Sequence, residues 1–350
     1  MKVDVVLVGF GLAGLAVAEQ LRRAGKSFVV IDQPQPGASH CAAGIYNPTI
    51  LKRYTMAWEA PALLDEALDF YKELEGVLGT SFLYPLPIAR VFSSISEHNQ
   101  WMSASDQHQF KPYLLPKIQT DTPTEVNAPL GYGRVVGVGR LAISELLLAY
   151  RTQLIPTAHF RKEPFLYDAF KSESKSVVYK DIVANHIIFC QGAELRSNPF
   201  FKDLPLRGSH GDMLRIHAPG MDTTHIWKSR LFVVPHGNDE YWVGASFNNQ
   251  RKDPVPTEKG KKWLMTHLNR LLDIPFTVIA HLGQVRPTVV DRRPLVGTHP
   301  NDPKIHLLNG LGSRGVLTAP QMGVHLHRSI FENIPLPDTI SITRFTADSC

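Results

Sequence analysis

The fold is decided by residues 3–14, VDVVLVGFGLAG. Val3–Val8 is an apolar run of strand length, interrupted only by Asp4, as expected for a strand buried on both faces of a parallel sheet. The run leads into three glycines, Gly9, Gly11 and Gly14. Their spacing allows a tight turn, a close backbone approach to a pyrophosphate and close packing of a helix on a strand. This pattern predicts a dinucleotide-binding turn.

The segment after the glycines completes a strand–helix–strand unit. Leu15, Ala18 and Leu21 recur at helical spacing, and the N-terminus of such a helix offers free N–H groups to phosphates. Phe28–Ile31 is a second apolar strand, and it ends at Asp32, where a ribose hydroxyl is expected to bind. The alternative is an ordinary glycine-rich turn, in which Asp32 is a surface cap.

Length and composition are typical of a globular protein. The chain has 350 residues and a formal net charge of +5, with 37 Lys and Arg against 32 Asp and Glu. These values exclude a disordered tail, a disulfide miniprotein and a coiled-coil rod. Cys41, Cys190 and Cys350 give no disulfide framework, and no run of about 20 apolar residues predicts a membrane span. We therefore expect a cytoplasmic protein without a membrane partner.

Helical and strand-like patterns alternate along the rest of the chain. Helical spacing is present at Ala57–Gly79, Leu141–Tyr150, Lys259–Leu272 and Val316–Phe331. Strand-like runs occur at Ala184–Ala193 and Lys304–Leu308, and Leu231–Phe247 has the pattern of a hairpin. The interleaving predicts an α/β nucleotide-binding domain assembled from separated segments, with a second domain inserted.

Four later segments resemble the D-amino acid oxidase family of flavoproteins, which includes glycine and sarcosine oxidases. In the order of that family they are ASHCAAGIYNP (38–48), IFCQGA (188–193), QVRPTVVDRRPLVG (284–297) and NGLGSRGVLTAP (309–320). The resemblance implies FAD as cofactor and an α/β (α+β) fold, in which a discontinuous Rossmann-like FAD-binding domain carries an inserted mixed-sheet substrate domain. It places the FAD-binding domain at 1–60, 131–205 and 283–335, the substrate domain at 61–130 and 206–282, and a C-terminal tail at 336–350.

The same resemblance implies a set of FAD-binding residues. The set is Gly9, Gly11, Leu12, Ala13, Gly14, Asp32, Gln33, Ser39, His40, Ala43, Gly44, Ile45, Phe165, Gly192, Gly312, Ser313, Arg314, Gly315, Val316 and Leu317. The adenosine is expected near Asp32, the pyrophosphate at Gly11–Gly14, and the flavin ring between Ala43–Ile45 and Gly312–Leu317. The following helix would direct its positive end at the ring.

The resemblance also implies a substrate, an amine that bears a carboxymethyl group, such as glycine, sarcosine or another N-alkyl glycine. Oxidation of its C–N bond gives an imine, O₂ reoxidises the flavin, and no side chain is needed as catalytic base. The family arginine that binds the substrate carboxylate falls on Arg286, although an ion pair with Asp291 is an alternative. Arg314 is a second candidate contact, or a local cap. Phe232 and Phe247 fall at pocket positions of glycine oxidases, or belong to the sheet core.

Two other functions remain open. Residues 311–315, LGSRG, resemble the FAD domain of the bifunctional tRNA enzyme that makes 5-methylaminomethyl-2-thiouridine. A tRNA substrate is therefore an alternative, and Arg251–Lys262 is either an RNA contact or a solvated helix face. The sequence ahead of the glycine turn has no room for that enzyme's methyltransferase domain, so a tRNA role is expected to need a separate enzyme. The other function is FAD binding without turnover.

His40 and Cys41 bear on how the cofactor is held. Some dimethylglycine dehydrogenase relatives tether FAD through a His directly before Ala-Ala-Gly, but Cys41 takes that place here. Non-covalent FAD is therefore the expectation, with a covalent bond to His40 as the lesser alternative. No H-x-x-H, HExxH or CxxC spacing is present, so no metal site is predicted. The oligomeric state is left open.

Overall fold

A computed structural model describes residues 1–345 of the chain, so Cys350 and the end of the predicted tail lie outside the described residues. The helices are α1 Leu12–Arg23, α2 Ala38–Cys41, α3 Ala60–Leu78, α4 Ile95–Ser105, α5 Ile143–Leu154, α6 Glu258–Leu271 and α7 Gly315–Phe331. The first ten strands are β1 Lys2–Val8, β2 Phe28–Asp32, β3 Ile45–Tyr46, β4 Thr49–Ile50, β5 Thr55–Met56, β6 Leu83–Pro85, β7 Ile88–Val91, β8 Tyr132–Val135, β9 Gly139–Leu141 and β10 Phe160–Lys162. The others are β11 Phe170–Ser172, β12 Val177–Tyr179, β13 Ile182–Phe189, β14 Ser209–His217, β15 Ile226–Lys228, β16 Phe232–Gly237, β17 Glu240–Gly244, β18 Thr277–Arg286, β19 Leu295–His299 and β20 Asp302–Asn309.

β1 lies inside an eight-stranded sheet. The order is β10–β2–β1–β13, after which β12 and β20 both pair with β13; β11 continues from β12, and β19 from β20. β10, β2, β1, β13 and β20 run parallel, so their carboxyl ends meet at one edge, where sheets of this kind bind ligands. Val5 and Leu7 pack in one core with α1, α3, α5 and α7, whereas Val6 and Val8 pack in the core on the opposite face. Burial on both faces explains why Val5–Val8 are all apolar.

A second sheet of seven strands has the order β18–β14–β17–β16–β15–β7–β8. α6 covers its outer face, where Leu264 and Leu268 pack with Leu214 and Val243. The other face, called here the inner face, packs against the loop that follows β2. Trp242 donates from Nε1 to the Cys41 carbonyl oxygen over 2.9 Å on this face. The inner face of this sheet therefore lies against the segment between β2 and β3. The expected α/β fold class, with a second, mixed sheet, is confirmed.

Two elements pack with a different unit from the one that the sequence division gives them. α3, within 61–130, shares a core with α1 and α7, and its Tyr71 hydroxyl donates to the Val316 carbonyl oxygen over 3.1 Å. β8, within 131–205, pairs with β7 in the seven-stranded sheet. An amphipathic helix belongs to the surface that its apolar side covers, and a short strand to the strand that it pairs with. The order of segments along the chain predicts neither the surface that a helix covers nor the strand that a short strand pairs with.

No helix within residues 1–345 is both long and apolar enough to cross a membrane. No group of three or more His, Cys, Asp or Glu side chains in the same range is arranged to hold a metal ion.

Candidate active site

The turn after β1 is packed too tightly for side chains at its glycines. Gly9 has a φ of +95°, and its N–H donates to the Ile31 carbonyl oxygen over 2.8 Å. A Cβ on Gly14 would lie 2.2 Å from the Gly9 carbonyl oxygen. α1 therefore begins directly above the end of β1, and its first N–H groups have no acceptor within the helix. Such a helix start binds phosphate groups.

Ser39 approaches the same helix start from α2. Its Oγ accepts a hydrogen bond from the Leu12 N–H over 3.2 Å. A Cβ on Gly11 would lie 2.8 Å from this oxygen, so the missing side chain at Gly11 gives Ser39 its place. The structure thus brings Ser39 to the glycine turn, as a shared phosphate site requires.

Asp32 and His40 lie beside the turn. Asp32 accepts the Phe10 N–H on Oδ1 over 2.9 Å, and burial raises the pKa of its carboxyl. Burial lowers the pKa of His40, and the nearby Asp32 carboxylate opposes that shift. The buried Nδ1 of His40 has no hydrogen-bond partner within residues 1–345. A carboxylate, an unpartnered imidazole nitrogen and the free N–H groups of α1 fit the ribose and pyrophosphate of FAD.

Two further loops carry the segments predicted to hold the flavin ring. Gly44 has a φ of +75°, and a Cβ there would lie 1.9 Å from the Leu141 carbonyl oxygen. Gly312 has a φ of +58°, and its N–H donates to the Pro287 carbonyl oxygen over 3.0 Å. That hydrogen bond places the loop before α7 directly beside Arg286. The second flavin loop and the predicted carboxylate site are therefore neighbours.

Arg314 connects the loop before α7 to the segment after β3. Its guanidinium donates to the carbonyl oxygens of Asn47 and Thr49, the latter over 3.1 Å. Burial lowers its pKa to about 10. These contacts correspond to the alternative role of Arg314 as a local cap. The backbone carbonyl groups therefore satisfy its guanidinium without a ligand. A contact with substrate or flavin stays a prediction.

Arg286 lies at the end of β18. Leu282, Gln284 and Arg286 share a face because side chains alternate along a strand, and Gln284 donates to the Pro36 carbonyl oxygen over 2.7 Å, which makes this the inner face. Burial lowers the pKa of the Arg286 guanidinium, and no acid within residues 1–345 pairs with it. Asp291, the alternative partner, binds Arg344 over 2.9 Å instead. A half-buried guanidinium without an acidic partner in the described residues suits the carboxylate of a ligand.

Gly211 provides the space for that guanidinium. A Cβ on Gly211 would lie 2.5 Å from Nη2 and 2.8 Å from Nη1 of Arg286. It would also lie 2.7 Å from the Ser246 carbonyl oxygen on its other side. Gly211 has no positive φ, so space rather than backbone freedom accounts for the glycine.

Gly211→Ala is expected to displace the Arg286 guanidinium and to weaken carboxylate binding about tenfold, as for the loss of one charge-assisted hydrogen bond. The measurement is a titration of the flavin absorbance with (methylthio)acetate, which has the carboxymethyl group but no amine. FAD content should equal that of the unmodified protein, since the neighbours of Gly211 are Arg286 and Ser246 and include no residue of the glycine turn. Unchanged affinity with normal FAD content would remove Arg286 from the carboxylate site.

The two predicted pocket phenylalanines lie in different surroundings. Phe232 packs against the core of the inner face, and the Nζ of Lys228 lies 4.6 Å from its ring centroid. Phe247 follows the end of β17 and is 70% exposed, which excludes the sheet-core alternative for this residue. The hairpin in the structure, formed by β16 and β17, ends at Gly244, so it does not include Phe247 as the sequence predicted.

Two other predicted FAD residues, Phe165 and Gly192, lie near the carboxyl end of β13. The ring of Phe165 stacks on Tyr179 at 4.5 Å, and the Gly192 carbonyl oxygen accepts the Asn309 amide over 3.0 Å.

In the basic segment Arg251–Lys262, Arg251 pairs with Asp253 over 2.7 Å. The lysines of α6 lie on the helix that covers the outer face, away from Arg286. Sequence reasoning missed Gly211 and Lys228, for which the sequence holds no local signal.

Comparison with known proteins identifies relatives along nearly the whole chain. The family model described as "DAO: FAD dependent oxidoreductase" matches residues 4–328. A glycine oxidase from Bacillus subtilis is 26% identical over 347 residues, which cover 91% of this chain and 90% of that protein. The crystal structure of glycine oxidase from Geobacillus kaustophilus has a TM-score of 0.80 at 18% identity and covers 99% of this chain and 100% of that one.

A tRNA-modifying protein is also similar. The tRNA 5-methylaminomethyl-2-thiouridine biosynthesis bifunctional protein of Caulobacter sp. (strain K31) is 25% identical over an alignment of 363 residues, gaps included. The alignment covers 96% of this chain and 56% of that protein. The chain spans about half the length of the bifunctional relatives that it matches.

Proposed function

Because the chain belongs to the DAO family of FAD-dependent oxidoreductases, we propose that its substrate is an amine carrying a carboxymethyl group. Oxidation of the C–N bond of this amine to an imine, with O₂ as electron acceptor, is the proposed reaction. One observation carries the proposal, the half-buried Arg286 guanidinium that has no acidic partner in residues 1–345 and lies beside the Gly312 loop. A glycine-type carboxylate supplies the missing anion.

The chain's own residues bind and orient the reactants. The start of α1 would hold the pyrophosphate of FAD and Asp32 a ribose hydroxyl. When bound, FAD would supply the two-electron oxidation of the carbon next to the amine, with O₂ as the proposed electron acceptor. Arg286 fixes the carboxylate through two parallel hydrogen bonds, and the apolar side chains of Phe232 and Met213 on the inner face keep water from the reacting carbon.

The purified protein is expected to be yellow, and anaerobic N-methylglycine is expected to bleach its flavin absorbance. Methylamine, which lacks the carboxylate, should bleach it at least about a hundredfold more slowly at equal concentration, because it forgoes the charged pair with Arg286. Equal rates for the two amines would contradict the carboxymethyl requirement. No bleaching by any amine would support FAD binding without turnover, and a colourless protein that cannot be reconstituted would contradict FAD itself.

A tRNA substrate is the second candidate, and the exposed Phe247 ring favours it. Unpaired bases bind proteins by stacking on exposed aromatic rings, and Phe247 is 70% exposed beyond the last residue of β17. The same anaerobic experiment separates the candidates. Bleaching only by tRNA bearing carboxymethylaminomethyluridine, and by none of the small amines, would favour the tRNA substrate.

A further inference from the structure

Lys228 is the last residue of β15, and its side chain is half-buried. Its Nζ donates to the Ser229 carbonyl oxygen over 2.5 Å and lies 4.6 Å from the centroid of the Phe232 ring. No carboxylate within residues 1–345 forms an ion pair with it. Burial and the nearby positive charge of Arg90 lower the pKa of Lys228 to about 7. An anion bound beside this amine would raise its pKa, and the amine would take up a proton from solvent.

The groups around Lys228 leave its positive charge uncompensated. Arg90 on β7 pairs with Glu97 on α4 over 3.0 Å, and these two charges offset each other. Lys52 adds a second, exposed positive charge. The Tyr54 hydroxyl is buried without a hydrogen-bond partner in residues 1–345, and the charges of Arg90 and Glu97 both act on its pKa. Lys228 and the Tyr54 hydroxyl thus both lie within range of the Arg90–Glu97 ion pair.

Lys228 on β15 lies four strands away from β18, the strand that carries Arg286, with β7 and β8 beyond it. Lys228 pairs with Phe232, Phe232 with Gly244, Gly244 with Met213, and Met213 with Leu282. Four strand spacings of about 4.8 Å separate Lys228 from β18, or about 19 Å along the sheet. A ligand that reaches both cations must pass Phe232.

We propose that the second substituent on the substrate nitrogen is a chain of several carbon atoms ending in an acidic group, which Lys228 and the Tyr54 hydroxyl bind. The proposal rests on the proposed function, because it takes the carboxymethyl end to be bound at Arg286. An acid at Lys228 supplies the missing counter-ion, and the Tyr54 hydroxyl gains an acceptor. The substrate class is then an N-carboxymethyl amino acid with a long acidic arm rather than glycine itself.

Two thioethers test this without any amine that could be oxidised or titrated. 6-(Carboxymethylthio)hexanoic acid carries both acids, and (hexylthio)acetic acid carries only the one for Arg286. Binding to the FAD-loaded protein is measured calorimetrically at pH 8 in two buffers of different ionisation enthalpy. The diacid is expected to bind at least about tenfold more tightly. It should also take up close to one proton more, because Lys228, mainly neutral at this pH, becomes charged beside the anion.

Variants assign the effect to Lys228. Lys228→Arg should keep the preference for the diacid but lose the extra proton uptake, because Arg is charged throughout. Lys228→Met should lose both, and Tyr54→Phe should reduce the preference several-fold. Lys259→Met, at an exposed lysine of α6, is the control and should behave as the unmodified protein.

The outcomes separate this proposal from the proposed function. Equal affinity for both thioethers with equal proton uptake would overturn the acidic arm and leave the carboxymethyl site intact. Extra proton uptake that persists in Lys228→Met would overturn the role of Lys228. Failure to bind either thioether, together with failure of N-methylglycine to bleach the flavin, would instead overturn the proposed function.

Discussion

Arg286→Leu is expected to reduce kcat/KM for an N-carboxymethyl amine by a hundredfold or more, about 3 kcal/mol of lost binding. The guanidinium has no acidic partner in residues 1–345, so the substitution removes a ligand contact and no internal ion pair. The variant should therefore be at least as stable as the unmodified protein, because an uncompensated buried charge disfavours folding. Anaerobic stopped-flow reduction and thermal unfolding of the same sample measure both effects.

Arg286→Lys is the matched variant for this experiment. It keeps the positive charge but loses the two parallel donors. Its kcat/KM should therefore lie between that of Arg286→Leu and that of the unmodified protein. FAD content should be normal in both variants. A loss of stability of about 3–5 kcal/mol in Arg286→Leu would show that Arg286 serves the fold as half of an ion pair, and an unchanged kcat/KM would show that the carboxylate binds elsewhere.

The sequence predicts best the parts of the fold that local patterns determine. The stretch Val5–Val8 is apolar throughout because both faces of β1 are buried there, and Gly9 and Gly14 have the spacing that brings a helix onto a strand end. The packing of α3 was not predictable in the same way. Its apolar side fits any apolar surface, and only the folded chain shows that this surface is formed by α1 and α7.

The candidate site depends more on long-range pairing. Arg286 is recognised by resemblance, but its availability depends on Asp291 being bound by Arg344, more than fifty residues further along. Gly211 looks like any glycine in a strand until the register of β14 and β18 places the guanidinium beside it. Lys228 becomes notable only when burial and the absence of a carboxylate partner are known. Such properties arise from tertiary contacts that no short motif encodes.

Gly14→Ala is expected to yield protein without bound FAD and with an unfolding free energy lower by about 3 kcal/mol or more. The added Cβ would lie 2.2 Å from the Gly9 carbonyl oxygen, which is backbone and has no rotamer to move into. α1 would have to shift away from β1, and the N–H groups that face the pyrophosphate would shift with it. The ratio of flavin to protein absorbance and the Tm report the two losses.

Gly76→Ala tests whether this effect belongs to the turn or to any helical glycine in the chain. Gly76 lies within α3, and a Cβ there would meet no atom within 4 Å. Alanine has the higher helix propensity, so this variant should be more stable by about 0.5–1 kcal/mol and should keep its FAD. Normal FAD content in Gly14→Ala would mean that the turn can widen without losing the cofactor. The close packing of α1 on β1 would then not be what positions the pyrophosphate.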